Sequence, residues 1–203
     1  MKSFLLFLRK IKTMTKSRLE AFSDGVLAII ITIMILEIKA PHSAEWDGIL
    51  ALLPKFLSYI LSFIYVGIYW NNHHHTFQAV KKGVNAEIMW SNLVLLFNLS
   101  LIPVVTAWMG ENHFAKNTVI LYGIFLLTCA ISYTIMLMQI VKNEGENSVL
   151  AKAIGKDQKG KISIVLYIAG IISAIFNPWI GLAFYGIVAL IWLIPDKRIE
   201  KIL

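Results

Sequence analysis

The sequence has 203 residues, of which 58% are hydrophobic and 15% charged, with a formal net charge of +7 at pH 7. A soluble domain usually carries about a quarter charged residues, and here the charges lie in short segments between long apolar blocks. This excludes a soluble globular domain and points to an all-α, polytopic protein of the lipid bilayer. The basic balance does not indicate a nucleic-acid partner, because the Lys and Arg residues flank apolar blocks instead of forming one patch.

The opening stretch MKSFLLFLRK has a short apolar run followed by basic residues. It does not read as a signal peptide, and Met14 is an alternative start to Met1. Six apolar segments follow, at about 19–36, 49–70, 88–108, 119–141, 162–176 and 179–194. Each reads as a transmembrane helix, which needs roughly 20 residues at about 1.5 Å per residue. Together they make one six-helix domain over 1–203. The last two are short. As one helix they would be about 50 Å long, too long for a single crossing. Asn177-Pro178 divides them as a tight hairpin. Pro103 is expected to kink the third span. Asn92, Asn98, Ser100, Thr128, Ser132 and Gln139 read as polar glue between helices. Cys129 is the single cysteine; it makes no internal disulfide and reads as a small buried residue.

The cations test the span count. Lys2, Arg9, Lys10, Lys12, Lys16 and Arg18 precede the first span, and Lys81 and Lys82 follow the second. Lys142, Lys152, Lys156, Lys159 and Lys161 follow the fourth, and Lys197, Arg198 and Lys201 follow the sixth. Six spans place all of these on one side. Lys39 and Lys116 fall on the other, and Lys55 lies near the start of the second span. Positive charge marks the inside, so both termini are expected to be cytoplasmic. Trp46, Trp70, Trp90, Trp108, Trp179 and Trp192 lie near span ends, as an aromatic belt requires.

The first span carries the most specific pattern, RLEAFSDGVLAIIITIMILEI over 18–38. At about 100° per residue, Arg18, Phe22, Gly25, Ile29, Thr32, Ile33 and Leu36 share one face. Around a symmetric axis this stripe gives apolar rings at Ile29, Ile33 and Leu36, with a ring of Thr32 hydroxyls between them. Apolar rings gate by dewetting, and hydroxyls help to replace an ion's hydration shell. Periodicity alone also fits ordinary helix packing, with Thr32 bonded back to a carbonyl of the previous turn. Asp24 falls on the opposite face. A carboxylate at membrane depth wants a partner, and Trp70, His74 and Arg18 are the candidates. His73, His74 and His75 point about 100° apart on a helix and do not converge on a metal. A pH-sensing role and plain hydrogen bonding both stay open for them.

RLEAFSD contains Arg-x-x-x-Phe-Ser-Asp at Arg18, Phe22, Ser23 and Asp24. In this motif, in the GVLAIIITIMILEI that follows, and in the histidine-bearing end of the second span, the chain resembles the transmembrane protein 175 family. That family comprises the endolysosomal potassium channel and its prokaryotic relatives. The animal member has two six-span repeats; one repeat here resembles the prokaryotic form, which implies a homotetramer in a prokaryotic plasma membrane. The resemblance implies a potassium-selective or potassium-preferring leak channel, with the first span of each subunit around the pore. It implies hydrophobic constriction at Ile29, Ile33 and Leu36, and a selectivity-linked hydroxyl at Thr32. It also implies that Arg18, Phe22, Ser23 and Asp24 join a network with Trp70 and His74 that clamps the pore helix. No cofactor is expected, and the conducted ion is K+. No TVGYG-like loop and no arginine-rich helix occur, as expected for a filter unlike that of ordinary potassium channels. The alternative is a secondary transporter of a monovalent cation or small solute, which needs broken helices and ionisable groups near the midplane. The span centres carry almost no charge. An enzyme is not expected, since no carboxylates or histidines converge in the pattern.

Overall fold

The computed structural model describes residues 15–155 and 157–193. Met1, Lys2, Arg9, Lys10, Lys12, Met14, Lys156, Ile194, Lys197, Arg198 and Lys201, which entered the start-site, span and charge readings, lie outside the described residues. The described chain is all-helical.

Helix α1 spans Lys16–Leu36, and a five-residue helix α2, Trp46–Leu50, follows a loop containing Pro41. Helix α3, Leu53–Gln78, begins with Pro54 in its first turn, where a missing N–H costs nothing. Ile49 therefore belongs to α2 and not to the second long helix, which starts four residues later and runs eight past Trp70. The polar run NNHHHTFQ stays helical because its side chains find partners inside the bundle. Tyr133 donates to the Asn72 carbonyl at 3.3 Å and accepts from Thr76 Oγ1 at 2.8 Å.

The third apolar segment forms two helices, α4 (Ala86–Ser100) and α5 (Ile102–Glu111), broken at Leu101. Pro103 has no N–H for the carbonyl four residues back and its ring crowds that turn, which accounts for the break. Asn85 caps α4, its side chain accepting from Ile88 N at 2.9 Å. Helix α6, Lys116–Glu144, is the longest at 29 residues and ends at Gly145, which adopts φ +97°. A short α7 (Val149–Ile154) leads to α8, Gln158–Phe176, capped by Asp157 in the left-handed region at φ 41°. Asn177 and Pro178 turn the chain into α9, Pro178–Leu193. In that hairpin the helices approach closely. A Cβ on Gly181 would lie 2.7 Å from Ala174 Cβ and 2.9 Å from the Gly170 carbonyl oxygen, so only glycine fits.

Five segments (α1, α3, α4 with α5, α6, and α8) are long and apolar enough to cross a membrane, and α9, with 16 residues, is a shorter apolar helix. Lipid tails are as apolar as leucine, so packing and hydrogen bonds hold such a bundle together, not the expulsion of water. Helix α6 is central, against α4, α5, α8 and α9, while α1 packs only on the α3, α4 and α5 side. A directed chain of hydroxyls crosses the centre. Tyr122 OH donates to Ser62 Oγ (2.9 Å), Ser62 to Thr106 Oγ1 (2.6 Å), and Thr106 to the Ile102 carbonyl (2.7 Å). Asn98 Nδ2 of α4 donates to Ser132 Oγ of α6 at 2.9 Å, whereas Ser100 and Thr128 bond back to their own helices. Cys129 is fully buried.

Candidate functional site

Helix α1 has two unlike faces. Leu19, Ser23, Leu27, Ile30 and Met34 are buried, at the three- and four-residue steps that make one stripe. The other side carries Arg18, Phe22, Gly25, Ile29, Thr32, Ile33 and Leu36, all exposed in the single chain. Ile29 is 58% exposed and Leu36 74%. Beside them lie the exposed small residues Ala21 and Ala28. Beyond Arg18 at its foot, the bare face is therefore apolar at Ile29, Ile33 and Leu36, narrow at the small residues, and polar at one position.

That position is Thr32. Its hydroxyl donates to the Ile29 carbonyl at 2.9 Å. The single hydroxyl proton is thus spent inside the helix, and the oxygen keeps lone pairs facing outward. A hydroxyl so fixed presents an acceptor, which suits a cation and not an anion. The back-bond and the outward oxygen are compatible.

The signature residues divide between the two sides. Ser23 is fully buried; its Oγ donates to the Leu19 carbonyl at 2.8 Å and accepts from Asn92 Nδ2 of α4 at 3.0 Å. Asn92 Oδ1 in turn lies 2.7 Å from His73 Nε2 of α3, so the imidazole N–H donates to it. The His73 ring stacks on Phe77, with centroids 4.4 Å apart. This buried chain ties α1, α4 and α3 together with every polar atom partnered. Ser23 was expected in a network and His73 was not, while Asn92 is the polar glue between helices that was expected of it. Both lie on other spans, and no local spacing signals that they meet.

Asp24 is exposed on a different side of α1, and Trp70 Nε1 of α3 donates to its Oδ1 at 3.1 Å. His74 stacks on Trp70 at 6.4 Å and accepts from Gln78 Nε2 at 2.7 Å, so it supports the indole without touching the carboxylate itself. Arg18 is exposed and forms no ion pair with Asp24. The foot of α1 is fixed instead by Lys16, whose Nζ donates to the Gln78 and Val80 carbonyls at 3.2 and 3.3 Å. Phe22 is half-exposed on the bare face. His73 turns into the bundle while the His74 and His75 rings lie 5.8 Å apart, and no group of three His, Cys, Asp or Glu side chains suited to a metal occurs among the described residues. At the opposite end of α3, Lys55 pairs with Glu111 of α5 at 3.0 Å.

The family model described as endosomal/lysosomal potassium channel TMEM175 matches residues 18–103, from Arg18 of the signature to Pro103. A protein of Chryseobacterium sp. (strain P1-3) named potassium channel is 61% identical over 188 residues, which cover 93% of this chain and 97% of that one. The human endosomal/lysosomal proton channel TMEM175 is 38% identical over 96 residues, 41% of this chain and 19% of the human one. A crystal structure of a lysosomal potassium-selective channel TMEM175 homolog from Chamaesiphon minutus superposes with a TM-score of 0.79 at 26% identity, covering 90% of this chain and 98% of that chain. A relative matched along almost its whole length, a family-model match that begins at the start of α1 and a shared multi-pass helical fold make this chain a member of the TMEM175 family.

Proposed function

We propose that the chain is one subunit of a potassium channel, a homotetramer in which four α1 helices surround a central pore and K+ passes down its gradient. The observation that carries this reading is the bare face of α1. It is exposed in a subunit whose other α1 face is fully packed, and it combines apolar side chains, small residues and one oriented hydroxyl. Small residues let helix backbones approach closely around an axis. The names of the Chryseobacterium relative and of the Chamaesiphon structure support potassium as the ion.

In this reading Ile29, Ile33 and Leu36 form the apolar constriction and Thr32 biases passage towards K+. Ser23 holds α1 against its own subunit through Asn92 and His73. Asp24, with Trp70 and His74 behind it, faces the neighbouring subunit, and Arg18 and Phe22 lie at the pore's inner mouth. On this reading the chain is one domain of six spans over 1–203 with both termini on the cytoplasmic side of a prokaryotic plasma membrane, the side where positive charge accumulates.

The break between α4 and α5 favours one other reading, since secondary transporters bind substrate at discontinuous helices. The residues around it, Asn98, Ser100 and Thr106, bond to backbone carbonyls and to Ser62 and Ser132, and carry no charge. Recording from the purified protein in planar bilayers, with potassium and sodium on opposite sides, tests the proposal. A channel gives single-channel steps and a reversal potential on the potassium side of zero. Saturating flux that requires a co-ion makes it a transporter. A current that follows a pH gradient instead makes the ion the proton, as the name of the animal relatives would have it.

A further inference from the structure

The C-terminal end of α1 rests on a seam between α3 and α5. Met34 and Ile38 from the α1 end, Ser58 and Tyr59 from α3, and Thr106 and Ala107 from α5 line a cleft of about 10 Å³, room for about one water. Met34, Ser58 and Thr106 are buried. Packed walls with so little free space do not deform gradually, so a shift of α5 relative to α3 displaces the α1 residues seated on them. Met34 lies in the chain between Ile33 and Leu36, two of the apolar positions of the bare face.

Two features close this seam. Lys55 Nζ donates to Glu111 Oε1 at 3.0 Å and joins the first turn of α3 to the last turn of α5. Gly110, next to Glu111, marks a close approach of the two helices. A Cβ there would lie 2.8 Å from Lys55 Cα and 2.5 Å from Ser58 Oγ. Glu37 also lines the cleft, but it is exposed and forms no ion pair among the described residues, so the Lys55 ammonium is bound to α5 and not to α1. The middle of α5 is held separately, by Thr106 on Ser62 of α3 at 2.6 Å. Its other end begins at the Leu101 break, where the α4 helix does not continue into it. The last turn of α5 is therefore fastened to α3 by the ion pair and by the contact at Gly110.

We propose that Lys55 and Glu111 are positioning residues for conduction. Their ion pair keeps the end of α5 on α3, and the closed seam sets how far Ile33 and Leu36 stand from the pore axis. This rests on the reading that α1 lines the pore. Opening the seam removes the backing of α1 on the side away from its bare face, lets α1 withdraw from the axis and widens the apolar rings.

Single-channel recording from the reconstituted full-length protein tests it, with Lys55→Gln, Glu111→Gln and the double variant. Both side chains are partly exposed, at 28% and 55%, so these variants fold. The expected result for Lys55→Gln is a rise in the open-to-closed ratio of at least about four-fold, the factor matching roughly 0.8 kcal/mol from four pairs of about 0.2 kcal/mol each. Glu111→Gln shifts the ratio the same way, and the double variant adds little to either. A pair that only stabilised the fold would lower the yield of channels and leave the gating of each one unchanged. Gly110→Ala wedges the seam without touching a charge and raises the ratio as well; the charge variants decide the matter alone if it does not fold. A ratio unchanged or lowered in Lys55→Gln, or a double variant whose effect is the product of the two single effects, overturns the proposal. Ile29→Asn in the same preparation separates this outcome from the role of α1. A current that responds to Ile29→Asn but not to Lys55→Gln ends the positioning role and leaves the pore reading standing. A current that responds to neither ends both.

Discussion

Replacing Asn92 by leucine removes the centre of the chain that fixes α1 while keeping a side chain of similar volume. Asn92 is fully buried and makes two bonds, to Ser23 at 3.0 Å and to His73 at 2.7 Å. Ser23 keeps its own donation to the Leu19 carbonyl, so its loss is one incoming bond, about 0.6 kcal/mol for a typical interhelical bond in a membrane bundle. His73 fares worse. Its N–H loses its acceptor in a site where it is 2% exposed, and a buried unsatisfied donor costs about 1–3 kcal/mol. The expected destabilisation is about 2–4 kcal/mol. Reversible unfolding in mixed micelles with increasing sodium dodecyl sulfate, followed by circular dichroism, measures it. His73→Phe should cost much less in the Asn92→Leu background than alone, because the bond is then already lost and the change removes the unpaired donor. A loss below about 0.5 kcal/mol for Asn92→Leu, or simple additivity of the two changes, refutes the chain as a structural tie.

The bare face of α1 yields further expectations. Ile29→Asn wets the constriction and raises single-channel conductance, by about ten-fold for each 1.4 kcal/mol removed from the barrier; an unchanged conductance removes Ile29 from the gate. Thr32→Ala deletes the outward hydroxyl oxygen and moves the reversal potential towards zero under potassium–sodium bi-ionic conditions, with the oligomer intact on gel filtration. An unmoved potential ends the selectivity role of Thr32. Trp70→Phe removes the only donor that the described residues give Asp24, so the yield of the proposed tetramer should fall while the selectivity of the assembled fraction holds. Altered selectivity with a normal tetramer would place the carboxylate at the ions instead.

The two faces of α1 were legible in the sequence because a helix converts spacing into direction. Residues 18, 22, 25, 29, 32, 33 and 36 share a side whatever they pack against. The break near Pro103 and the turn at Asn177-Pro178 were legible for the same local reason, a missing backbone donor. The extent of α3 was not. Polar residues from Asn71 to Gln78 look like a loop by hydropathy, and only partners on α4 and α6, together with bonds along α3 itself, keep them helical inside the bundle. The pairing of Asn92 with His73 and Ser23 was hidden because three separate spans must first be brought together. Arg18 is the converse case: opposite charge six residues from Asp24 suggests a pair, but the two side chains leave α1 in different directions, and an indole takes the carboxylate.

In the proposed assembly the bare face of α1 meets water and ions, whereas other exposed apolar residues meet lipid. The single native cysteine, Cys129, is buried and can be replaced by serine to give a clean background. Cysteines are then placed one at a time at Gly25, Thr32 and Leu36, at the buried Ile30 and Met34, and at Phe97 and Val165, which are as exposed as Ile29 but lie on α4 and α8. Potassium current is recorded while a charged, water-soluble thiol reagent is added. Block is expected at positions 25, 32 and 36 and none at 30, 34, 97 or 165. Block at 97 or 165 with none along the α1 stripe would contradict it and move the pore to another surface of the subunit.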